Sequence, residues 1–125
     1  MNIEGVVSFS GAWDTLNTKH KNELDELITG LTNYVAGNTE LLGDSDRRSY
    51  REYFEKSLYD LGWNLNDRTI YTDSGRRVPI RFIGPVKNGV AAQISSPSPD
   101  FLSRWLFNHS TLAIRHGLAE VAILL

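Results

Sequence analysis

Cysteine is missing from all 125 residues. That excludes disulfides and thiolate-held metal sites. Long apolar runs are missing too: none approaches the roughly 18 residues that a membrane span needs. No basic segment followed by an apolar one, the mark of a secretory leader, opens the chain. A cytoplasmic protein is the expectation. Familiar chemical motifs are absent as well. There is no Walker A loop, dinucleotide fingerprint, EF-hand loop or His-Glu-x-x-His pair. His109 and Ser110 are adjacent and His116 follows on the same helical stretch, but no Gly-x-Ser-x-Gly elbow or carboxylate accompanies them. A hydrolase built on these side chains is not expected.

What remains is the composition of an ordinary globular protein. Apolar residues make up 41 % and charged residues 22 %, so one compact domain over 1–125 with its own core is expected. The net charge of −2 conceals an asymmetry. Residues 1–46 hold two bases against eight acids, and residues 47–125 hold eleven against seven. The basic part suits an anionic partner, or is only a solvated face.

Hydrophobic periodicity orders the elements. Residues 3–9 read as a strand. Leu24, Leu27, Ile28, Leu31 and Val35 recur at helical spacing and predict a helix near 20–35. A second helix near 46–61 turns Tyr50, Tyr53 or Phe54, Leu58 and Leu61 inward, with Arg48–Glu52 and Arg51–Glu55 as outer pairs. Strands follow near 68–72, 77–83 and 90–95, cut by Asp73-Ser74-Gly75 and Asn88-Gly89 turns. Val78–Ile83 and Val90–Ile94 are expected to pair antiparallel around Lys87–Gly89. Pro79 belongs at a sheet edge or bulge. Ser98, Pro99 and Asp100 open a helix over 99–115 that Gly117 stops. Residues 119–125 read as a strand buried on both faces, parallel to 90–95 through a crossover. The fold class is α/β, a mixed central sheet flanked by helices. Trp13, Trp63 and Trp105 are spaced like core residues, and Trp63 and Trp105 are expected to pack helices, not stack on bases.

Four stretches now make a pattern: Gly62-Trp63-Asn64-Leu65-Asn66, "VPIRF", "GVAAQISS" and "FLSRWLFNHSTLAIRHGLAEVAILL". Together, over roughly the latter half of the chain, they resemble the core of the Bgl-type restriction endonucleases of the PD-(D/E)XK superfamily, in which Glu-x-Gln replaces Glu-x-Lys. The resemblance implies a restriction-endonuclease-like core, a setting in restriction and modification, and a dimer. It also implies an Asp and a Glu on the two hairpin strands. These bind a divalent metal and activate water for in-line attack on phosphorus. Here the Asp falls at or beside Arg81 and the Glu falls on Ala91; Gln93 and Asn66 are retained. Arginine and alanine leave no strong oxygen ligand for Mg2+, which prefers carboxylates and water.

The favoured expectation is therefore a pseudo-nuclease without cofactor that acts by binding a partner nuclease subunit, DNA or a regulator. The DNA contacts would be Arg76, Arg77, Lys87 and Arg104. The first rival is an active Mg2+-dependent endonuclease whose acids have moved to Asp67 or Asp73, with Gln93. The second rival is a small interaction domain of phage or defence origin with no nuclease ancestry.

Overall fold

The computed structural model describes residues 7–37, 47–65, 68–80, 83–94 and 99–125, with the backbone alone for 33–37, 47–50 and 99. The chain divides into two compact units, Met1–Gly62 and Trp63–Leu125.

The first unit is helical. Helix α1 spans Ala12–Lys19, α2 spans Lys21–Gly37 and α3 spans Arg47–Asp60. Helix α2 packs against both of the others. The strand expected at 3–9 does not extend into the described residues of that stretch: Val7 and Ser8 are irregular and Val7 is 82 % exposed. Residues 3–6 lie outside the described residues. The chain instead turns through left-handed Ser10 and Gly11, with φ of 52° and 71°. Ser8 Oγ accepts the Trp13 amide at 3.0 Å, satisfying a donor that the start of α1 would otherwise leave open. Trp13 itself is exposed, contrary to its expected place in the core.

Leu27 and Leu31 of α2 and Phe54 and Leu58 of α3 are buried, as their spacing implied. Ile28 and Leu61 were placed inward and are exposed; of the alternatives Tyr53 and Phe54, Phe54 is the buried one. Arg51 Nε meets Glu55 Oε1 at 3.2 Å, the expected four-residue pair. The Arg48–Glu52 pair and the side chains of Val35 and Tyr50 fall outside the described residues. Gly30 is buried in mid-helix, and a Cβ built there would lie 3.5 Å from Leu58 Cδ2, an ordinary contact. Gly30→Ala removes backbone freedom from the unfolded chain without a clash. It should raise stability by about 0.5–1 kcal/mol, read as a higher urea midpoint at unchanged slope.

The second unit is mixed α/β with two small sheets. Strands β1 (Thr69–Tyr71) and β2 (Arg77–Pro79) form an antiparallel ribbon. Strands β3 (Val86–Lys87), β4 (Val90–Gln93) and β5 (Val121–Leu124) form a second sheet in that order. There β3–β4 is antiparallel and β4–β5 parallel. Asn64 bridges to Val86 on the outer side of β3.

Both expected turns are present. Around Asp73-Ser74-Gly75, the Gly75 amide donates to the Thr72 carbonyl at 2.8 Å and the Thr72 amide to the Arg76 carbonyl at 2.9 Å. Gly75 has φ of 78°, so this is the three-residue hairpin loop with a glycine bulge. Asn88 and Gly89 both have positive φ, 47° and 82°, the requirement of a two-residue hairpin turn.

The pairing of these turns differs from the expectation. Residues 77–83 are not one strand beside 90–94. The strand stops at Pro79, and Ile83 lies in a 3₁₀ turn. The antiparallel neighbour of β4 is β3, and the ribbon partner of β2 is β1. Two tight turns of strong local preference outweigh one long-range pairing, and Pro79 cannot donate to a second neighbour. The burial on both faces expected of 119–125 belongs to β4, whose four residues are all buried; in β5, Ala122, Ile123 and Leu124 are half-buried.

The expected helix over 99–115 is present but interrupted. Helix α4 (Pro99–Arg104) passes into a π-helical stretch, Trp105–Ser110, and then into α5 (Thr111–Arg115). Within it the Ser110 and Thr111 hydroxyls both donate to the Leu106 carbonyl, at 2.7 and 3.0 Å. The wider turn lets two side chains share one acceptor. Gly117, with φ of 73°, ends the run.

Candidate functional site

Strand β4 positions the residues that the resemblance singled out. Alternation along a strand sends Ala91 and Gln93 to the same face. Both are 0 % exposed. Ala91 belongs to an apolar cluster with Ile70, Ile80, Ile83, Ala113 and Ala119. A metal carboxylate at this position would need water and polar neighbours; the surroundings are aliphatic. Gln93 Oε1 accepts the Ile94 amide at 3.0 Å, and its main-chain carbonyl accepts the Leu125 amide at 2.9 Å. Its side-chain oxygen is thus engaged on its own strand.

Arg81, Asn66 and Asp67 lie outside the described residues. The strand expected to carry Arg81 beside Ala91 is replaced there by β3. Asp73 is exposed at the tip of the β1–β2 ribbon, where it is a turn former. Among the described residues no group of three or more His, Cys, Asp or Glu could hold a metal ion.

The expected phosphate contacts are spread over three elements. Arg76 and Arg77 are exposed where the ribbon loop enters β2. Lys87 is half-buried on β3, beside the Asn88-Gly89 turn. Arg104 is exposed at the end of α4, its Nε donating to the Asp100 carbonyl at 3.2 Å.

The histidines have separate local settings. His20 is buried between α1 and α2, with Nδ1 3.8 Å from Glu23 Oε2. His116 is exposed beyond α5. His109 is half-buried in the π-helical stretch. Burial first, and the Arg104 guanidinium second, hold its imidazole below the usual histidine range. The folded state therefore binds this proton more weakly than the unfolded chain does. The stability it contributes is complete above about pH 6.5 and is lost as pH falls through the lower folded value. His109→Gln should reduce the loss of stability between about pH 8 and about pH 5. Identical losses in the two proteins, measured by urea denaturation, would contradict this.

The helical run leaves apolar side chains in water: Phe107 is 71 % and Leu102 51 % exposed, and Leu112 and Ile114 are exposed as well. Trp105 and Trp63 are buried, as expected of packing residues, and the Trp105 indole N–H has no hydrogen-bond partner among the described residues. No helix among the described residues is long and apolar enough to cross a membrane. No family profile, curated protein or solved structure matches the chain.

Proposed function

We propose that this chain is a non-catalytic domain with a restriction-endonuclease-like core, and that it acts by binding. The observation that carries this reading is Ala91: the place where the resemblance puts a metal-binding glutamate is fully buried in an aliphatic cluster. The parallel β4–β5 pair joined by the 99–115 helical run supports the reading, although the hairpin partner of β4 is β3 and not the expected 77–83 strand. What the chain binds through is best supported by that helical run. A helix packed on a sheet ordinarily keeps its outer face polar. This one leaves Leu102, Phe107 and Ile114 exposed, and exposed apolar patches mark interfaces. The partner is a second copy of this chain, or an active relative offering the same surface.

Light scattering of the purified chain tests the self-association. The mass should rise above 14.1 kDa as concentration approaches about 100 μM, a range that reveals interfaces of micromolar affinity. Phe107→Ser should return it to the monomer. A mass fixed at the monomer value throughout would overturn the homodimer.

A further inference from the structure

The β1–β2 ribbon has a solvent face that its structural role does not explain. Its register opposes Thr69 to Pro79, Ile70 to Val78 and Tyr71 to Arg77. Ile70 joins the apolar cluster and Val78 packs against it. Alternation therefore sends Tyr71 and Arg77 to the other face. There Tyr71 is 63 % exposed, directly across from exposed Arg77. Arg76, at the end of the loop, is exposed too. Among the described residues neither guanidinium forms a salt bridge.

The charge around this ribbon is one-sided. Residues 68–87 hold five bases and one acid, Asp73. The unit Trp63–Leu125 holds seven bases against four acids, while Met1–Gly62 holds six against eleven. The attraction for a polyanion is thus confined to one unit and hidden in the net charge of −2.

We propose that the Tyr71–Arg77 face of the β1–β2 ribbon binds single-stranded DNA, with Tyr71 stacking on a base and Arg76 and Arg77 holding the flanking phosphates. An exposed ring accepts the face of any unpaired base, and guanidinia beside it track the backbone. A duplex keeps its base faces stacked inside and offers the ring nothing. The loop hydroxyls that could read a ribose 2′-hydroxyl are turned to one another: Thr72 Oγ1 and Ser74 Oγ lie 2.9 Å apart, and Thr72 Oγ1 also accepts the Arg76 amide at 3.1 Å. That favours DNA over RNA.

The test is fluorescence anisotropy with a labelled oligothymidine of about 20 nucleotides, at low salt, against the unmodified chain and three variants. Tyr71→Ala should weaken binding by about tenfold or more. Tyr71→Phe keeps the ring and should stay within roughly twofold. Arg76→Ala/Arg77→Ala should weaken binding and lower the salt slope by about 1.4, the loss of two phosphate contacts on a single strand. Thermal melts should match throughout, because these side chains are exposed. Four results would overturn the proposal: no binding by the unmodified chain, a duplex bound as tightly as the single strand, oligouridine bound more tightly, or Tyr71→Ala binding unchanged. Competition by polyglutamate as effective as by oligothymidine would overturn it as well, assigning the face to an acidic protein.

Discussion

Ala91→Glu should unfold the second unit and create no metal site. If an open, polar cleft surrounded Ala91, restoring the acid would restore part of the chemistry. The surroundings say otherwise. Ala91 has no exposed surface and belongs to an aliphatic cluster with Ile70 of β1, Ile80, Ile83, Ala113 of α5 and Ala119 before β5. A glutamate there must displace packed side chains, at about 1–3 kcal/mol. It must also bury a carboxylate without a partner, which costs several kcal/mol more or forces the group to remain protonated. Together these approach the whole stability of a domain, about 5–15 kcal/mol. Circular dichroism and a urea titration should show a largely unfolded second unit. A folded variant that binds Mg2+ with micromolar affinity by calorimetry would reverse the interpretation.

Gly84→Ala should be the most damaging single-methyl change described here. Gly84 has φ of 84°, a left-handed conformation that costs a side-chain-bearing residue about 1–2 kcal/mol. A Cβ there would also collide with the Ala92 carbonyl. That carbonyl is main chain in the buried strand β4, and the Ala92 amide is held by the Pro85 carbonyl at 3.0 Å. No flexible side chain can yield, so the strand itself must move. The expected loss is about 3 kcal/mol or more. Gly75→Ala supplies the control. Gly75 has nearly the same φ, 78°, but a Cβ there meets nothing within 4 Å. It should lose only about 1–2 kcal/mol. The difference between the two urea midpoints isolates the collision with β4; equal losses would mean that β4 relaxes freely.

Local signals in the sequence carried most of the elements. The apolar spacing of Leu27 and Leu31 and of Phe54 and Leu58 marked two helices, and Asp73-Ser74-Gly75 and Asn88-Gly89 marked two turns. Each depends on residues close along the chain. The parallel pairing of 90–93 with 121–124 was legible too, because a strand, helix and strand in succession have few ways to close. The neighbour of β4 on the other side was not. "VPIRFIGPV" reads as one β-rich run, but left-handed Gly84 and then Pro85 divide it. The two residues left for β3 are too few to carry a periodic signal. Helix α1 was missed because Leu16 alone among its residues is buried, leaving no apolar stripe to read. The π-helical stretch adds less than one residue per turn, a change that apolar spacing does not register.

For the candidate site, Ala91 and Gln93 were placed on the right strand, but not in the right surroundings. Their neighbours come from Ile70, Ile80, Ala113 and Ala119, distant along the chain. Nothing local distinguishes an alanine that replaced a ligand from one that fills a core. Tyr71 carried a signal that went unused: in "TIY" the inward residue is Ile70, which turns the ring to solvent.

The central claim is that this domain does no hydrolysis, and supercoiled plasmid tests it most directly. Incubated with excess protein in Mg2+ or Mn2+, the plasmid should stay supercoiled, without nicked or linear product above a protein-free control. Metal-dependent nicking that disappears with Gln93→Ala or Asp73→Asn would place a working catalytic centre in this chain and contradict the account.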